Sequence, residues 1–126
     1  LASDRAGFFS GFFKTFFGDG QGDRPVSPEL LEWARGVAMQ ASAKATVECM
    51  RSFSSTDFRG DMPAFKVPTL VIHGTEDKTV PIDASSRLAA KAIAGATLVE
   101  YEGAPHGLFA TDKTRLNRDL IGFLAR

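Results

Sequence analysis

Cysteine is almost absent from this chain of 126 residues, where Cys49 stands alone. That excludes an internal disulfide and any multi-cysteine zinc or iron–sulfur site. A reducing, cytoplasmic setting is the simpler expectation. Net charge is absent too: the 15 basic residues are matched by 15 acidic ones, and the balance holds in both halves of the chain. A nucleic-acid binder would usually carry a basic patch, and a block of one sign would be needed to attract a membrane surface, so neither partner is expected. No apolar run approaches the roughly 18 residues that would suggest a membrane span. Leu1-Ala2-Ser3-Asp4 opens the chain with neither an initiator Met nor a signal-peptide pattern.

What is present divides into three zones. The length fits one domain, and 44% hydrophobic residues suffice for a core. In the first zone Phe8, Phe9, Phe12, Phe13, Phe16 and Phe17 recur every four positions, which keeps them near one stripe of a helix. Gly18, Asp19 and Gly20 stop that helix, and Gly18 to Pro25 reads as a loop. In the second zone, residues 27–58 read as one long helix or two consecutive ones. Ser27 is the N-cap and Pro28 the first helical residue. Leu30, Ala34, Val37, Ala38 and Ala41 form one apolar stripe, continued by Ala43, Val47, Met50 and Phe53. Trp33 and Cys49 read as packing residues of these helices.

The third zone has a different pattern. Thr69 to His73 is a short continuous apolar run between Pro68 and Gly74, as expected of a strand buried on both faces. Pro81 to Ala94 reads as a helix stopped by Gly95, Thr97 to Tyr101 as a second strand, and the stretch from Thr111 or Asp112 onward as an amphipathic helix with Leu116, Leu120, Phe123 and Leu124 inside. Strand, helix, strand, helix implies parallel strands in an α/β layer.

In such a unit the loops after both strands open on one edge of the sheet, where open α/β sheets place their ligands. Asp77 follows the first strand and His106 the second, 29 positions apart, close to the roughly 30 residues of one unit. A carboxylate beside an imidazole fixes its tautomer and stabilises the imidazolium. Taken singly, Asp77 is an ordinary turn former and His106 an ordinary loop residue. Glu76 and Asp83 compete as the carboxylate. His73 reads as structural, at the strand end, although His73, Asp77 and His106 together form a conceivable zinc set.

The stretch Val67-Pro68-Thr69-Leu70-Val71-Ile72-His73-Gly74-Thr75-Glu76-Asp77, with Ala104-Pro105-His106-Gly107 after it, resembles the end of an α/β-hydrolase. Ala43 to Cys49 and Thr56-Asp57-Phe58-Arg59 resemble the cap helices and cap exit of the cofactor-free (non-haem) haloperoxidases and their aryl-esterase relatives. The resemblance implies a helical cap over residues 1–62 and, over 63–126, the last two strands and helices of the core. It implies Asp77 as triad acid and His106 as general base. It also implies an apolar acyl or aryl pocket to which Phe12, Phe16, Phe53, Thr79 and Val80 contribute, and neither cofactor nor metal. Small or aryl carboxylic esters are the implied substrates, and hydrogen peroxide in place of water would give peracids.

The family's nucleophile sits in Gly-x-Ser-x-Gly, which this sequence lacks; Gly7-Phe8-Phe9-Ser10-Gly11 has the wrong spacing. The chain therefore reads as the second half of a hydrolase. It is expected to be inactive alone and to need the N-terminal half, in the same polypeptide or a companion chain, with self-association a further expectation. Two rivals stand beside this: a non-catalytic binding or assembly fragment, and another branch of the superfamily such as a lactonase or dehalogenase.

Overall fold

The computed structural model describes residues 3–20 and 26–125. The Phe-rich stretch forms α1, Arg5–Phe17, whose N-terminus is capped by the Asp4 side chain accepting from the Gly7 amide at 2.8 Å. It stops at Gly18, which takes φ +71, while the Asp19 N–H reaches back to the Lys14 carbonyl. The loop expected from Gly18 to Pro25 begins here; its residues 21–25 lie outside the described residues.

Residues 27–58 form two helices, α2 (Pro28–Gln40) and α3 (Ala43–Ser55). A serine caps each: Ser27 Oγ accepts from the Leu30 amide and Ser42 Oγ from the Ala45 amide. The Ser42 cap is what divides the apparent single helix. The last carbonyls of α2 would otherwise lack partners, and the Arg5 guanidinium donates to those of Ala38 and Ala41. This ties α1 to α2.

The α/β unit follows. Strands β1 (Leu70–Gly74) and β2 (Thr97–Tyr101) are parallel, in a register that sets Leu70 opposite Thr97 and Gly74 opposite Tyr101. They are joined by a single 3-10 turn, Ile82–Ala84, and by α4 (Ser86–Ala92). The helix expected from Pro81 to Ala94 is thus shorter. Ser85 leaves helical geometry at φ −137 and ψ −92, and its hydroxyl donates to the Pro81 carbonyl. After β2 come α5 (Leu108–Thr111) and α6 (Lys113–Leu124). This is the parallel α/β arrangement that the sequence pattern implies, preceded by helices.

The core gathers around Tyr101, Ala104 and Leu108, with Ile72, Val99 and Leu116 packed against them. Tyr101 is fully buried, so its hydroxyl needs a partner; it donates to Asp119 Oδ2 at 2.7 Å, and the Arg115 guanidinium lies 3.7 Å from the ring centroid. Burial, reinforced by the bond to the Asp119 carboxylate, pushes the Tyr101 phenol from 10.0 up to about 12.

Elsewhere burial falls short of expectation. Leu70, Val71 and Ile72 are only half-buried, and α3 buries no residue. Leu124 is 79% exposed and Leu120 also reaches the surface. Trp33 is 58% exposed, and Cys49 is exposed as well. These side chains follow apolar helix and strand patterns, yet the described residues leave them partly or largely uncovered. Among the described residues, no helix is long and apolar enough to cross a membrane.

Two outcomes are expected. A Cβ on Gly74 would lie 2.1 Å from the Ala104 carbonyl oxygen, whereas one on Gly122 meets nothing within 4 Å. Chemical denaturation should therefore show Gly74→Ala destabilised by about 1–3 kcal/mol or more, and Gly122→Ala, in an exposed helix, gaining about 0.5–1 kcal/mol. Tyr101 is the chain's single tyrosine, so phenolate absorbance reads it alone. It should titrate near 12 in the folded protein and near 10 once unfolded. Its folded value is raised, so its contribution to stability is complete below pH 10 and is lost as the pH rises towards 12.

Candidate active site

The loops after the two strands are joined by hydrogen bonds before any site chemistry enters. The Thr75 N–H donates to the Tyr101 carbonyl and the Glu76 N–H to the Ala104 carbonyl, both at 3.0 Å. The Thr75 hydroxyl in turn accepts from the Gly103 N–H at 2.8 Å. Gly103 holds φ +65 in this turn, a conformation that favours glycine. Gly74 allows the close approach of the two backbones.

Asp77 and His106 meet across this junction. Asp77 Oδ2 is 2.6 Å from His106 Nδ1. The other carboxylate oxygen, Oδ1, accepts from the amides of Thr79 at 2.9 Å and Val80 at 2.8 Å. A buried carboxylate is tolerated when donors satisfy it, and the Asp77 side chain is only 2% exposed. With Nδ1–H given to the carboxylate, the His106 lone pair resides on Nε2, the tautomer that a general base needs.

Helix α1 supports the His106 loop from the other side. The Gly107 N–H donates to the Phe16 carbonyl at 2.8 Å. The Phe16 ring lies 4.6 Å from the imidazole, tilted by 58°. Pro105 packs against Gly18. The end of the Phe helix and the imidazole loop thus form one packed unit.

The other carboxylates are placed elsewhere. Asp83 pairs with Arg87, which also makes a two-pronged contact with Glu100, and the Glu76 side chain is exposed. His73 is buried at the end of β1, with Nδ1 2.6 Å from Ser86 Oγ and Nε2 2.9 Å from the Val80 carbonyl. Among the described residues, no group of three or more His, Cys, Asp or Glu side chains is arranged to hold a metal ion.

A site with this geometry can be compared with known proteins. The profile of the serine aminopeptidase S33 family (Hydrolase_4) matches residues 35–114. The chain belongs to the α/β-hydrolase superfamily. Within it, the similarity runs to the non-haem haloperoxidases. A non-haem chloroperoxidase of Streptomyces lividans is 40% identical, over 98% of this chain and 45% of its own length. A bifunctional esterase/perhydrolase of Acinetobacter calcoaceticus is 34% identical, over 94% of this chain and 41% of its own. The crystal structure of a bromoperoxidase from Bacillus anthracis superposes with a TM-score of 0.93 at 40% identity, covering 98% of this chain and 45% of that one. The chain therefore spans less than half the length of these relatives.

Of the pocket residues that the resemblance implied, the structure brings Phe16 to the imidazole, with Phe12 behind it. Phe16 touches His106, and Phe12 packs on Phe16 at 5.6 Å between ring centroids. Thr79 and Val80 meet Asp77 through their amides. The Thr79 hydroxyl is buried without a partner among the described residues. Phe53, 64% exposed, lines a separate groove with Phe9 and Met50. Sequence reasoning missed the Thr75 hydroxyl clamp and the Gly107–Phe16 bond. Neither leaves a trace in residue type or periodicity.

A Cβ on Gly107 would lie 2.3 Å from the Phe17 ring. Gly107→Ala should separate the His106 loop from α1, at a cost of about 1–3 kcal/mol. NMR hydrogen exchange at the amide of position 107 should accelerate relative to wild type, and unchanged protection would contradict the packing described.

Proposed function

We propose that this chain supplies the acid and base of a serine-type carboxylic ester hydrolase. The observation that carries the reading is the 2.6 Å bond between the buried Asp77 carboxylate and His106 Nδ1. His106 Nε2 takes the proton of a serine hydroxyl as that oxygen attacks the ester carbonyl, then returns it to the departing alcohol. Asp77 holds the ring and stabilises the imidazolium. In deacylation, His106 takes a proton from water as its oxygen attacks the acyl carbonyl, then gives that proton to the serine oxygen as the acyl–serine bond breaks, releasing a carboxylic acid. With hydrogen peroxide in place of water, the same step releases a peracid. The name of the Acinetobacter relative, which pairs esterase with perhydrolase, supports that second outcome.

The serine comes from a segment that this sequence does not contain. A base and its orienting acid form no acyl-enzyme without a nucleophile, so these 126 residues alone are inactive. The proposed partner is the N-terminal half of the same hydrolase, in one polypeptide or as a companion chain. Such a partner would pair the free edge of β1 and cover the apolar faces of α6 and β1, surfaces that otherwise favour association. Residues 1–62 act as a cap over the 63–126 core, and Phe12 and Phe16 form an apolar wall beside the imidazole, suited to small hydrophobic or aryl esters. The lone exposed Cys49 fits a reducing, cytoplasmic setting.

The chain should be assayed with a chromogenic acetate ester and a fluorophosphonate probe, alone and co-expressed with an N-terminal half carrying Gly-x-Ser-x-Gly. Turnover and labelling are expected only in the assembled form. Full turnover by the chain alone would overturn the reading, as would an assembled form that takes no label. In the assembled enzyme, His106→Ala or Asp77→Asn should lower kcat by about 10⁴-fold, and peracid formation should fall with ester hydrolysis.

A further inference from the structure

The carboxylate oxygen that meets His106 has a second imidazole on it. His73 Nε2 lies 2.9 Å from Asp77 Oδ2, the same atom that His106 Nδ1 reaches at 2.6 Å. The acyl-transfer steps above make no use of His73. Its ring is nonetheless buried, and both nitrogens are engaged: Nδ1 with Ser86 Oγ at 2.6 Å, Nε2 also with the Val80 carbonyl at 2.9 Å. The carbonyl can only accept, so Nε2 carries a proton. A Ser86 hydroxyl donating to Nδ1 leaves the ring neutral with its proton on Nε2, given to the Val80 carbonyl beside the Asp77 carboxylate.

We propose that His73 and Ser86 form a clamp that positions the triad acid, an inference that rests on the acid–base reading of Asp77 and His106. Ser86, the first residue of α4, selects the His73 tautomer. The His73 Nε2–H then holds the Val80 carbonyl, and the Val80 amide in turn donates to Asp77 Oδ1, so the loop that fixes the carboxylate is anchored to β1. His73 Nε2 also lies 2.9 Å from Asp77 Oδ2, so the ring backs the oxygen that meets His106. His73 touches neither substrate nor serine in this arrangement; it acts through Asp77.

The test uses the assembled enzyme. His73→Leu removes the donor with little change in size. It should lower kcat about two- to tenfold, the range expected on losing one neutral hydrogen bond, while KM changes little. The low-field proton resonance of the His106–Asp77 bond should shift or broaden. In His73→Gln the side-chain amide N–H replaces Nε2–H, so most of kcat and the resonance should return. Ser86→Ala should lie between the two. Wild-type kcat with an unmoved resonance in His73→Leu would overturn the clamp, as would a Gln variant no better than Leu. Should His73→Leu fail to fold, Ser86→Ala decides: unchanged kcat and resonance there overturn the proposal. The resonance is read without turnover, so a sound clamp in an enzyme that takes no fluorophosphonate would count against the hydrolase reading instead.

Discussion

A buried carboxylate organises this molecule. Asp77 is withdrawn from water, and a charge in that position persists only when donors surround it. Two of its donors are amides of its own loop and a third is the imidazole of the loop after β2, while the His73 ring of β1 lies beside the same oxygen. Separate pieces of backbone have to deliver these groups. The tight register of the strands, the lack of a Cβ at Gly74, which lets it approach Ala104, and the Thr75 hydroxyl on Gly103 all serve that delivery.

Helix α1 extends the same constraint into the preceding helices. Its last turn offers the Phe16 carbonyl to Gly107 and the Phe16 ring to His106. The imidazole is therefore held from below by the sheet loops and from the side by an aromatic helix. The Phe16 ring also gives the imidazole an apolar neighbour, tilted 58° to it. Packing and candidate chemistry thus share the same side chains, which explains why the Phe repeat is denser than one small helix needs for its own stability.

Burial is uneven along the chain. Tyr101, Phe17 and Ile82 are enclosed, whereas Leu120, Ile121 and Leu124 on α6 face outward. Periodicity reports which side of an element is apolar; it does not report whether something is there to cover it. The relatives are more than twice as long as this chain, so the apolar faces match surfaces that longer proteins of the superfamily have the means to cover.

Much of this was legible in the residues. Ser27-Pro28, the Gly18 stop, the bounds of β2 and the parallel α/β order are local signals, because capping, glycine conformation and side-chain alternation act over a few positions. The spacing of Asp77 and His106 also let their meeting be anticipated, since a strand–helix–strand unit brings its two loops to one edge. Two things were decided only by the folded chain. These were the break at Ser85 and the approach of His73 to the same oxygen as His106. Both depend on distances between atoms far apart in sequence or across a turn, and residue types and periods carry no record of such distances.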